Sequence, residues 1–132
     1  MPQFSDTITT SAPPEEVWKL LYDPARFPDW WEGIETVNDG DAKGGDGDIT
    51  FYSEGYPDFP MPQLLESSRD AGRVKVSCLV SDLRFDWHLD EEAGGTRIGV
   101  EVEIPEQEAF RLETQQGKIA ASLRNLAALA AS

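Results

Sequence analysis

The sequence has one cysteine, Cys78, and one histidine, His88, in 132 residues. A single thiol excludes an internal disulfide framework, and a single imidazole excludes every multi-histidine metal centre. Bases are scarce as well: 11 Lys and Arg stand against 25 Asp and Glu, a formal net charge of −14. A surface that negative repels phosphate backbones and anionic head groups, so no nucleic-acid partner is expected. No apolar run approaches membrane-spanning length, and no basic stretch followed by an apolar run opens the chain. No stable membrane insertion is therefore expected, and the expected location is the cytoplasm.

Aromatics are plentiful by contrast, with four Trp, six Phe and three Tyr, and 39% of the residues are hydrophobic. That is enough to bury a real core, and 132 residues make one domain, 1–132. The charge is uneven: residues 1–60 hold thirteen acids and three bases, residues 61–132 twelve acids and eight bases. Pro and Gly recur at short intervals, which favours many short elements.

Residues 4–10 alternate and are rich in β-branched side chains, which predicts a strand. Pro14, Glu15 and Glu16 then suit a helix start, and Val17, Trp18, Leu20 and Leu21 give it an apolar face. Asp23-Pro24 breaks that helix before a short helix or turn with Phe27, Trp30 and Trp31, and one of the two tryptophans is expected to close the core. From residue 34 to about 104 the period is 2, with strands expected at 34–37, 48–54, 63–69, 73–80, 83–91 and 96–104. In the last three, Val74, Val76, Cys78 and Val80 share a face with Phe85, Trp87, Leu89, Ile98, Val100, Val102 and Ile104. Arg73, Lys75, Arg84, Asp86, His88, Asp90, Arg97 and Glu101 take the opposite, wet face. The phase of 63–69 stays open, because Leu64 and Leu65 point to opposite sides. A helix from about Pro105 to the end carries the stripe Ile119, Leu123, Leu126, Ala130, which must pack on the sheet's apolar face.

With that order, residues 8–18, residues 23–30, Gly94-Gly-Thr-Arg97 and Ser122-Leu-Arg-Asn-Leu126 resemble the opening, the aromatic segment and the ending of the SRPBCC superfamily. That superfamily includes START-related lipid-transfer domains, the birch-pollen-allergen fold and polyketide cyclase/dehydrase-like proteins. The resemblance implies an α+β helix-grip fold, a seven-stranded curved antiparallel sheet round a long C-terminal helix with two short helices after the first strand. It also implies an apolar cavity for a lipid, polyketide or aromatic molecule. Phe51, Val76, Phe85, Trp87 and Val100 would face that space. The loop 55–62, with Tyr56, Phe59 and Met61 among three prolines, would lie at its mouth beside Phe110 and Arg111.

Several residues invite chemistry. Asp86 with His88 forms a general-base pattern, but both are in phase with the wet face. Tyr52 and Arg69 are the other acid–base candidates for a cyclase-type enzyme, with Tyr52 or Ser53, and Ser67 or Arg69, inside depending on register. The acidic turn with Asp39, Asp41, Asp46 and Asp48 lacks the calcium-loop spacing, since Lys43 takes a ligand position and Thr50 the twelfth. Cys78 has the surroundings of a structural thiol. The expectation is a binding site for a hydrophobic small molecule with no metal and no cofactor, in a monomer or homodimer. A cyclase-type enzyme and a module whose acidic half meets a basic protein are the alternatives.

Overall fold

The computed structural model describes residues 3–38, 47–53, 55, 60–79 and 83–132. Tyr56 and Phe59 of the proline-rich loop, Val80, and Asp39, Asp41 and Asp46 of the acidic turn lie outside the described residues. The chain runs β1 (Gln3–Thr10), α1 (Pro14–Leu21), a 3-10 turn (Pro24–Arg26) and α2 (Phe27–Trp30). It continues through β2 (Ile34–Asn38), β3 (Gly47–Ser53), β4 (Met61–Ser68), β5 (Arg73–Cys78), β6 (Arg84–Glu92) and β7 (Gly95–Glu103). A second 3-10 turn (Glu106–Arg111) leads into α3 (Leu112–Ala131). The seven strands form one antiparallel sheet in the order β1-β7-β6-β5-β4-β3-β2. This is the α+β helix-grip architecture. No described helix is long and apolar enough to cross a membrane.

Register aligns the buried faces. Trp87 lies opposite Val74 on one side and Val100 on the other, and Phe85 lies opposite Val76 and Val102. All six are buried, while Arg73, Lys75, Arg84, Arg97 and Glu101 remain exposed on the outer face. Pairing with β5 also fixes the phase of β4. Leu65 sits opposite Val76 and Gln63 opposite Cys78, so Gln63 and Leu65 are buried and Glu66 is exposed. A polar side chain is therefore carried on the inner face of β4.

The C-terminal segment departs from a single helix beginning at Pro105. Pro105 is extended, and Glu108 takes a non-helical φ of −114° inside the 3-10 turn. The tight turn brings positions i and i+3 into line, and the Glu108 carboxylate lies 3.1 Å from Arg111. The stripe Ile119, Leu123, Leu126 and Ala130 is buried, joined by Ser122 and Ala127. It stops two turns short of the helix start, where Gln115 and Lys118, with Arg111 just before the helix, replace apolar residues on the inner side.

Candidate functional site

Six aromatic rings fill the middle of the grip. Trp30 and Trp31 stack with centroids 5.5 Å apart and planes 19° apart, and Trp87 stands across them at 5.0 and 5.1 Å. Phe85 meets Trp31 nearly at right angles at 4.9 Å, with Phe27 and Phe51 beside it. Perpendicular packing places the electropositive edge of one ring against the electronegative face of another. Trp30 Nε1 donates to the Leu20 carbonyl at 2.9 Å, locking α2 onto α1. Trp87 Nε1 is the one buried side-chain polar atom without a hydrogen-bond partner among the described residues. Val76, Trp87 and Val100 have no solvent exposure and do not line the cavity described next. The grip is solid at its centre and open at one end.

At that end lies a cavity of about 260 Å³, which shares its rim with an outer groove of about 830 Å³. Its apolar walls are Trp31, Ile34, Phe51, Met61, Leu83 and Phe85. Gln63, only 4% exposed, supplies an amide, its Nε2 donating to the Met61 carbonyl at 3.3 Å. Ser53 and Cys78 add a hydroxyl and a thiol to the same wall. Gln115 and Lys118 line the cavity from α3 and Glu108 and Arg111 from the 3-10 turn before it, with Glu32 on the same rim. Phe110, 77% exposed, forms part of the outer lip, with the Arg111 guanidinium 5.7 Å from its ring centroid. The sheet side is mainly apolar, as in small-molecule sites, while the charged groups come from the helix, the turn before it and Glu32.

The cavity exists because α3 turns polar over an apolar sheet. Arg111, Gln115 and Lys118 follow at i, i+4 and i+7, one face of the helix, and Ser122 continues it at i+11. The Ser122 hydroxyl accepts from the Glu32 N–H at 2.9 Å and donates to the Lys118 carbonyl at 2.7 Å. Asn125 Nδ2 donates to the Trp30 carbonyl at 3.2 Å. These bonds tie the turn that carries Trp31 to the helix, so two residues of the C-terminal motif position the cavity wall. Sequence reasoning missed Gln63, Gln115, Lys118 and Leu83. For the helix a signal was present: the apolar stripe fails upstream of Ile119.

Of the residues expected to face the ligand, Phe51 and Phe85 line the inner cavity and Phe110 the outer groove. The four acid–base candidates are not brought together. Tyr52 alternates with the inward-facing Phe51 and Ser53 and is not on the cavity wall. Arg69 is exposed beyond β4, paired with Glu15 at 3.6 Å. Asp86 accepts from Arg73 on the outer face at 2.7 Å, and this hydrogen bond, reinforced by its charge, raises the Arg73 pKa further above its already high value. The His88 ring covers Gly99 on the neighbouring strand, with Nδ1 3.5 Å from Asp90 rather than Asp86. No group of three or more metal-ligating side chains occurs among the described residues.

Comparison with solved structures places this geometry among known folds. The chain superposes on a protein from Chromobacterium violaceum with a TM-score of 0.77 at 22% identity, covering 100% of this chain and 99% of that one. It matches the Aha1 dimer from Colwellia psychrerythraea with a TM-score of 0.78 at 14% identity, covering 99% and 97%. The di-domain ARO/CYC BexL from the BE-7585A biosynthetic pathway gives 0.75 at 16% identity, covering 96% of this chain and 45% of that one. At these identities the likeness concerns the fold alone. No curated protein sequence matches. The sequence model for polyketide cyclase / dehydrase and lipid transport matches residues 1–131, so the chain belongs to that family.

Proposed function

We propose that this is a cytoplasmic binding protein for an apolar small molecule, held at the open end of the grip between α3 and the inner faces of β3 to β6. The observation that carries the reading is the cavity walled by Trp31, Phe51, Met61 and Phe85 where the helix stripe stops. A fully packed helix grip would have placed a leucine or isoleucine at position 115 and filled that space. The family's description, which names polyketide chemistry and lipid transport, supports an apolar cargo.

The neutral dye N-phenyl-1-naphthylamine fluoresces strongly only in apolar surroundings and suits the test. It is expected to saturate at one equivalent of folded protein. Gln115→Trp, which adds a large side chain at the half-buried helix position on the rim, is expected to abolish the signal without unfolding the chain. A dye that never saturates, or that binds Gln115→Trp unchanged, would remove the proposal. Turnover of the cyclase kind would have to draw on groups of the cleft itself, such as Glu108 and Arg111. Combining Tyr52→Phe, Arg69→Gln, Asp86→Asn and His88→Gln is accordingly expected to leave the dye's dissociation constant unchanged. The ion pairs of Arg69 and Asp86 lie at the surface and contribute at most about 1 kcal/mol each, so fluorescence titration of the combined variant compares folded proteins.

A further inference from the structure

We infer that the ligand carries one anionic oxygen group beside its apolar body, and that Lys118 receives it; the inference rests on the binding site proposed above. Four charged side chains line the inner cavity: Glu32, Glu108, Arg111 and Lys118. Arg111 and Glu108 neutralise one another at 3.1 Å. Lys118 has no carboxylate within 4.0 Å among the described residues, although Glu32 lines the same rim. Among the described residues its ammonium is the unpaired cation of the cleft.

The fold also fixes where that charge sits. The Lys118 stem crosses Gly33, and a Cβ at position 33 would come within 3.3 Å of Nζ and 3.4 Å of Cδ and Cε. Gly33 follows the Trp31 turn with a φ of +94°, in the left-handed region. The glycine therefore forms a notch that lets the ammonium descend to the cavity rim beside Trp31, and Lys118 lines both the cavity and the outer groove. A molecule with its rings or chain against Trp31, Phe51 and Phe85 would present its polar end to that ammonium. The chain's net charge of −14 repels anions at long range, so any preference for an anion must come from this local contact. A charge-assisted hydrogen bond is short-ranged and about twice as strong as a neutral one.

Two dyes with one ring system test this: 1-anilinonaphthalene-8-sulfonate bears a sulfonate, and N-phenyl-1-naphthylamine does not. The wild-type chain is expected to bind the sulfonate about tenfold more tightly, the gain of one good ionic hydrogen bond. Lys118→Gln is expected to erase that preference while leaving the neutral dye within about twofold, and Lys118→Arg to restore it. Lys75→Gln removes an equal charge from the outer face and is expected to alter neither dye. Equal affinities in the wild type, or Lys118→Gln weakening both dyes alike, overturns the inference while the binding site stands. Failure of the neutral dye overturns the binding site itself. Displacement of bound sulfonate dye by dodecanoate or by 2-naphthoate supports the inference and separates a chain-bearing acid from a ring-bearing one. Displacement by neither overturns it.

Discussion

Trp87→Ala is expected to destabilise the protein by about 3–5 kcal/mol, the usual cost of deleting a large buried aromatic. The indole has no solvent exposure and stands across Trp30 and Trp31 at 5.0 and 5.1 Å. Trp30 is held at both ends, its Nε1–H by the Leu20 carbonyl and its own carbonyl by Asn125, so its ring cannot swing in to refill the gap. In a chain of this size the melting midpoint should fall by roughly 10–20 °C. Trp87→Phe should behave differently. It removes part of the ring but also the Nε1–H that finds no acceptor, and an unsatisfied buried donor costs about 1–3 kcal/mol. The two effects oppose, so Trp87→Phe is expected within about 1.5 kcal/mol of the wild type. Denaturant titration with an unchanged slope reads both variants. A phenylalanine variant as unstable as the alanine one would show that the indole N–H does find a favourable partner, such as the face of a neighbouring ring.

The second large effect is expected at a glycine, Gly95→Ala, with a loss of about 3 kcal/mol or more. A Cβ there would fall on the carbonyl oxygen of Thr10, and it would lie 2.9 Å from the Thr10 carbonyl carbon and 3.0 Å from the Ser11 Cα. All three atoms are backbone, at the corner where β1 leaves the sheet for α1. That corner is held by Thr96, whose hydroxyl donates to the Ala12 carbonyl at 2.9 Å. Relief would require β1 to move away from β7 and would break this bond. The neighbouring Gly94→Ala makes the internal comparison. Gly94 has a φ of +85° and nothing within 4 Å of a new Cβ, so only backbone strain of about 1 kcal/mol is expected. Thermal melting of the two variants side by side checks the order. Equal losses would show that the hairpin turn, and not the corner against β1, sets the need for glycine.

Both residues show what kind of information a sequence carries. The Gly94-Gly95 pair marks a hairpin because the left-handed φ of Gly94 favours glycine, and that is a local property. Which glycine is also crowded by a distant backbone depends on where β1 returns, a contact between residues 85 positions apart. The same division runs through the site. Alternation in β5, β6 and β7 sorted wet from dry faces correctly, so Asp86 and His88 could be assigned to the outer side. It gave no answer for β4, where Leu64 and Leu65 compete and only pairing of Gln63 with Cys78 and Leu65 with Val76 decides. That pairing brought Gln63, a residue no local signal marked, onto the cavity wall.

The sequence by itself determined the element order, the buried faces of the later strands, the apolar stripe of the C-terminal helix and the acidic balance. All of these follow from periodicity, turn chemistry and composition, which act over a few residues. Only the tertiary structure decided how far the aromatic rings fill the grip and where they stop. Val76, Trp87 and Val100 share the inward face with Phe51 and Phe85, yet Trp30 and Trp31 occupy the space in front of Trp87 and leave the cavity near residues 51 and 85. The physical reason is that a cavity is the volume left when elements far apart in the chain have packed. Its place depends on the reach of Trp31, the notch at Gly33 and the polar turn of α3 together, and no one of these signals it alone.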